Sequence, residues 1–205
     1  MAEIERQVTT SNCSCERNLF LDSYDRNAFD VQVGADLFGH WQEGGGFRYQ
    51  NITIPQGSTI LSAKLSVKAY KNRSGTVCNS KISAEDVDDA AIFPVAKGDF
   101  DTRYAAHTTA VVNWDSIAAW TMDTWYDSPD ITSVIQEIID RVGWSSGNDI
   151  VIFWEDFDDR SDHNDDAARD AYGYPRGSAN TPKLIITYQV IELPEVQTDP
   201  ATEIT

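Results

Sequence analysis

Long apolar runs are missing from this chain of 205 residues, and so is positive charge: 16 Lys and Arg stand against 33 Asp and Glu, a formal net charge of −17. No apolar segment approaches the roughly 20 residues that a helix needs to cross a bilayer. The shortage of cations argues against nucleic acid, whose phosphates call for a basic face. It argues equally against docking on an anionic membrane. Cysteine is scarce, at three. Cys13 and Cys15 are too close for an easy disulfide, Cys78 lies far along the chain, and His40, His107 and His163 are scattered, so no zinc spacing emerges. Unpaired thiols are expected, with Cys13 and Cys15 the candidates for a bridge to a docking partner. There is no G-x-S-x-G elbow, phosphate loop or dinucleotide fingerprint. No catalytic residue is therefore assigned, and a non-enzymatic protein is expected. The opening MAEIERQVTTSNCSCERN has no basic-plus-apolar leader, so no signal peptide is expected in the chain.

What is present is a series of short apolar-polar alternations separated by Gly, Asn, Asp and Ser, the pattern of brief strands joined by turns. The cleanest places Leu61, Ala63, Leu65, Val67 and Ala69 on one face and Ser62, Lys64, Ser66 and Lys68 on the other, ending at the turn Asn72–Gly75. Further strands are read at 29–33, 47–54, 77–84, 110–114, 125–126, 149–154, 171–174 and 183–191. Roughly eight to ten strands suit a two-sheet sandwich. Residues 1–18, polar and without periodicity, read as a flexible or partner-docking arm. Residues 19–191 read as one domain and residues 192–205 as a C-terminal tail.

One helix is expected over about 129–142. Ser128 suits the N-cap, Pro129 the first helical position, and Gly143 the C′ position. Ile131, Val134, Ile135, Ile138, Ile139 and Val142 recur at the spacing of a single buried face, the mark of a helix that plugs a core.

Two features could carry binding. The loop after the apolar strand Ile150–Trp154 crowds acids together, and Ca²⁺ takes six to eight oxygens with loose geometry. Asp156, Asp158 and Asp159 are the candidate ligands of a structural Ca²⁺; the alternative is a solvated acidic edge with Arg160 and Arg169 as partners. The second acidic run, Glu85–Asp89, raises the idea of a paired-carboxylate glycosidase, but no one acid stands out as the desolvated member. Aromatic rings can stack on sugar faces. Trp114, Trp125 and Trp154 lie in apolar strand patterns and are expected in the core. Trp41, Trp120, Tyr172 and Tyr174 are the candidate carbohydrate-binding residues.

The order of signatures resembles the DNRLRE-type jelly-roll domains, which look like carbohydrate-binding modules. The matching pieces are Phe47–Gly57 (FRYQNITIPQG), Ala63–Val67, Val111–Trp114, the helix 131–142 with Gly143-Trp144, and Pro182–Tyr188, together covering roughly residues 19 to 190. The resemblance implies an all-β jelly-roll sandwich found in secreted, adhesive and virion-surface proteins. The expectation is therefore a structural or adhesive subunit of a virion surface, such as a capsid decoration, spike or tail appendage. Its partners would be neighbouring protein subunits, in a homo-oligomer, and its location the virion surface or the extracellular space. An extracellular carbohydrate-binding module, Ca²⁺-stabilised, is the alternative, and a glycoside-cleaving enzyme the remote one.

Overall fold

A computed structural model describes residues 1–35, 41–75, 77–163 and 167–190. Among these, four strands form the first sheet, in the order β1 (Ala2–Gln7), β12 (Lys183–Gln189), β6 (Thr59–Lys68) and β9 (Trp125–Asp127). The second sheet runs β11 (Ala168–Tyr172), β4 (Asp30–Gly34), β5 (Glu43–Tyr49), β10 (Ile150–Glu155), β7 (Ser80–Ala84) and β8 (Val112–Trp114). On its flank β2 (Ser14–Asn18) pairs with β5 and with β3 (Ser23–Asp25). Every ladder is antiparallel. With β2, β3, β4 and β11 set aside, the remaining eight strands, counted along the chain, order themselves first-eighth-third-sixth in one sheet and second-seventh-fourth-fifth in the other. That interleaving is the jelly roll. The all-β sandwich read from the alternation is the observed fold.

β10 explains why its sequence is apolar without alternation. Ile150, Ile152 and Trp154 face the space between the sheets, while Val151 and Phe153 face a second cluster with Phe93, Phe100 and Phe157. A strand covered on both faces has no polar side to show. The cover on the outer face is a second helix, α1 (Lys97–Ala105), which no apolar stripe announced because it buries only Phe100.

The central strand β5 opens with Gly44-Gly45-Gly46, a run that propensity assigns to a loop. A Cβ on Gly45 would lie 1.9 Å from the Cys15 carbonyl oxygen, one on Gly44 2.3 Å from the Glu155 Cβ, and one on Gly46 2.7 Å from the Phe93 ring. The neighbouring backbones and the Phe93 ring approach closer than any side chain allows, so glycine is required here by packing.

The expected helix forms, but as α2 (Thr132–Ile139), shorter than 129–142. Ser128 does not cap it; its hydroxyl accepts the Leu65 N–H at 3.0 Å, and Asp130 accepts the Thr132 N–H at 2.7 Å instead. The chain leaves the helix at Asp140 rather than at Gly143, because Arg141 is drawn to Asp86 and to Asp88, the latter at 2.7 Å. Val142 is consequently 96% exposed and outside the stripe. Ile131, Val134, Ile135, Ile138 and Ile139 are buried against the first sheet, where Ile131 N–H also donates to Ala63 at 2.8 Å. Five such side chains, at about 1.5–3 kcal/mol each, make this plug a principal source of stability.

Residues 1–18 are not a free arm. Their first half is β1, paired along its length with β12, and their second half is β2, paired along its length with β5. Both strands carry too few apolar residues to show a period, because backbone ladders rather than side chains hold them. Cys13, Cys15 and Cys78 are free and fully buried, so Cys13 and Cys15 cannot reach a partner subunit as drawn from the sequence. The tail 192–205 lies outside the described residues.

Candidate functional site

β6 runs away from the α2 plug to the opposite end of the sandwich. There Lys64, Ser66 and Lys68 are followed at the same parity by Tyr70. Ala69 bridges Ala171, and the Tyr70 N–H donates to the Asp170 carbonyl at 2.8 Å, so the end of β6 stitches the first sheet to β11 of the second.

Rings and cations gather on this seam. Tyr70 and Tyr172 meet edge to face, centroids 5.2 Å apart, and Phe29 beside them is 55% exposed. The Arg176 guanidinium sits 4.7 Å from the Phe29 centroid and 4.8 Å from that of Tyr70, and its Nη2 donates to the Tyr70 hydroxyl at 2.6 Å. Arg176 is presented by the 3₁₀ turn Tyr174–Arg176, which Pro175 and Gly177 hold between them. Lys68 and Lys71 stand 5.7 Å and 5.4 Å from the Tyr172 and Tyr70 centroids, within reach of cation–π attraction. The Tyr172 hydroxyl donates to Asp123 at 2.9 Å; burial, and then that bond, raise the phenol above its ordinary pKa and keep it protonated.

A buried polar network supports the platform from below. Asp170, wholly buried, accepts from Arg73 at 2.6 Å and from Lys71 at 2.6 Å, and Lys71 also reaches Asp30 at 3.1 Å. Arg73 donates to the Gln32 side-chain amide oxygen at 3.0 Å; the Gln32 side-chain amide in turn donates to Glu43, which also accepts from Asn18 at 2.8 Å. Glu16 accepts the Gln32 N–H at 3.2 Å, and burial, reinforced by the charge of Glu43, pushes its carboxyl well above the usual range. Burial likewise raises Asp30, against the pull of Lys71. Such a network fixes the residues above it because each member has few alternative partners.

The acidic loop is built differently from the expected calcium set. Asp156 is buried and accepts the N–H groups of Arg160 at 2.9 Å and Ser161 at 3.1 Å, closing a turn of its own chain. Asp158 pairs with Lys81, and Asp159 with His163 at 2.5 Å. The three carboxylates thus serve three different partners. Among the described residues no group of three or more His, Cys, Asp or Glu is placed to hold a metal; Asn164, Asp165 and Asp166 lie outside them. Arg160 turns instead to Asp115, and Arg169 is buried, donating to the carbonyls of Ala118, Gly75 and Ile117. The second acidic run is also engaged: Glu85 by Arg103, Asp86 and Asp88 by Arg141, and Asp89 by the Asp149 N–H.

Of the four candidate aromatics, Tyr172 stands on the platform. Tyr174 lies at its margin, half-buried against the core, with its N–H on the Ser14 hydroxyl. Trp41 belongs to another stack, 4.0 Å from the His163 ring and 4.7 Å from Phe20. Trp120 is core: 3% exposed, stacked on Tyr126 at 4.9 Å and on Trp154 at 5.9 Å. Its small and polar sequence neighbours concealed this, because the residues that cover it come from elsewhere in the chain. Trp125, expected inside, is 37% exposed, with Lys183 over its ring. Sequence reasoning missed Phe29, Tyr70 and Arg176. Tyr70 alone left a signal, the parity it shares with Lys64, Ser66 and Lys68.

A shallow groove of about 490 Å³ crosses the outer face of the first sheet, lined by Glu3, Glu5, Lys64, Ile185 and Thr187 among others, with no aromatic side chain among the described residues that line it. No helix among the described residues is long and apolar enough to cross a membrane. Compared with known proteins, the chain matches no protein-family model and no curated protein.

Proposed function

We propose that this protein is a non-enzymatic adhesive module, a subunit of a virion surface or another extracellular assembly, that holds carbohydrate on the Tyr70–Tyr172–Phe29 platform. The observation that carries this reading is the set of three rings and three cations gathered on the seam between the sheets, above a buried network that keeps them in place. Sugar rings offer apolar faces for stacking and hydroxyls for hydrogen bonds. The platform supplies both kinds of partner, with Asp123, Lys68 and Asn180 at its rim. In this reading the charge of −17 keeps copies soluble and apart until neighbouring protein subunits bind them. The acids on the chain serve as structural acceptors, and a role in bond cleavage is not part of the proposal.

The test is a glycan array followed by titration calorimetry on the best binder. Tyr172→Ala and Phe29→Ala are expected to weaken binding about tenfold each, about 1.4 kcal/mol, without changing the fold. Silence across the array, or binding indifferent to both substitutions, would remove the reading. Light scattering at rising concentration reads the assembly side, where a monomer at every concentration would speak against a homo-oligomer.

A further inference from the structure

Arg176 is an exposed guanidinium in a chain with 33 acids, yet among the described residues no carboxylate pairs with it: its partners there are two rings and a phenol. Most of the arginines elsewhere are covered by acids, although Arg6 and Arg169 are held by backbone carbonyls and, for Arg6, a threonine hydroxyl. Arg17, Arg48, Arg103, Arg141 and Arg160 each have an aspartate or glutamate within 3.1 Å. On the platform, Lys68 faces Asp123 at 3.4 Å, and Lys71 faces Asp30 and Asp170, so the local acids are already taken. The rings of Phe29 and Tyr70 hold the guanidinium plane, and the Tyr70 hydroxyl occupies Nη2. The Nε and Nη1 hydrogens have no protein partner among the described residues.

We infer that this edge of Arg176 receives a carboxylate, and that the carbohydrate held on the platform is an acidic one, carrying a uronate or a sialic-acid type carboxyl. A planar guanidinium presents parallel N–H donors that match the two oxygens of a carboxylate. Its orientation is set by the flanking rings before the ligand arrives, so little rotamer freedom remains to be lost on binding. Lys68 and Lys71 are balanced by Asp123, Asp30 and Asp170, so the attraction for an anion on this seam falls to Arg176 itself. This inference rests on the carbohydrate reading of the same platform and narrows it to one ligand class.

The experiment is an array on which each carboxylated glycan is printed beside its neutral counterpart: a galacturonate oligomer beside its methyl ester, a sialylated trisaccharide beside the desialylated disaccharide. The wild-type protein is expected to favour the carboxylated member at least tenfold, in one pair or both, and to lose that preference at high salt. Arg176→Gln is expected to bring the two members of a pair together, while Tyr172→Ala weakens both. Binding confined to neutral glycans, or a preference unchanged in Arg176→Gln, overturns the acidic-ligand inference and leaves the carbohydrate reading standing. Silence on all members overturns both. A melting midpoint of Arg176→Gln equal to that of the wild type shows that any loss is at the site.

Discussion

The two ends of β6 are held by different physics. At its start, Ile131, Val134, Ile135, Ile138 and Ile139 close the sandwich with apolar bulk. Near its end, Asp170, Arg73, Lys71, Asp30, Gln32 and Glu43 do so with directed hydrogen bonds and charge. An apolar plug degrades by degrees, since a lost methylene costs its transfer and cavity terms and the neighbours partly relax. A buried charge network fails in steps, since removing one member leaves another charged and unpaired in a dry place. The platform stands over the second kind of end, where rigidity comes from bonds with fixed directions.

The largest effect is expected from Asp170→Ala, which removes the Arg73–Asp170 bonds and half of the Lys71 partnership. A loss of about 3–5 kcal/mol is expected in urea unfolding. A cost below about 1 kcal/mol would show that the network is ornamental. Next in size is Ile135→Ala in the plug, expected to cost about 2–5 kcal/mol, with Ile135→Val costing only about 0.5–1.5 kcal/mol. That gradation should be absent at Asp170, where Asp170→Asn also removes the charge that faces Arg73 and Lys71. If Ile135→Val and Ile135→Ala cost the same, the plug is not packed as described.

A smaller effect separates the ends by pH. Glu16 has a carboxyl pKa raised in the folded state, so the native protein binds a proton more readily than the unfolded chain. Its contribution to stability is therefore unfavourable above the raised value and disappears as pH falls toward the ordinary glutamate range. Glu16→Gln is expected to raise the melting midpoint at pH 8 by roughly 2–4 °C, the shift that about 1 kcal/mol makes in a domain of this length. At pH 4.5 the variant and the wild type should melt together. A variant less stable than the wild type at pH 8 would reverse the assigned sign. The smallest expected effect is that of calcium: because Asp156, Asp158 and Asp159 serve separate partners, EDTA should leave the melting midpoint in place, and a shift of several degrees would place a cation in the acidic loop.

The plug was legible because it is local. A stripe at i, i+3 and i+4 is fixed by the helix period, so five of its six members could be named from their spacing and were found buried. The sixth, Val142, was lost to Arg141, which answers to aspartates more than fifty residues away. The platform was barely legible. Phe29, Tyr70, Tyr172 and Arg176 lie far apart in the chain, and each taken singly reads as a strand or turn residue. Trp120 and Trp125 exchanged their expected places for the same reason, since burial of a large ring depends on what folds over it.

By itself the sequence determined the class of fold, the alternating strands, the helix stripe and the excess of acid, because these depend on periodicity and composition along a short stretch. The tertiary structure alone decided that β1 and β2 belong to the sheets, that three glycines form a central strand, and that the acids of the 156–159 loop part company. It also gathered three rings and the Arg176 guanidinium on one seam. All of these are set by contacts between residues distant in the chain, and no local period encodes which distant backbone will arrive.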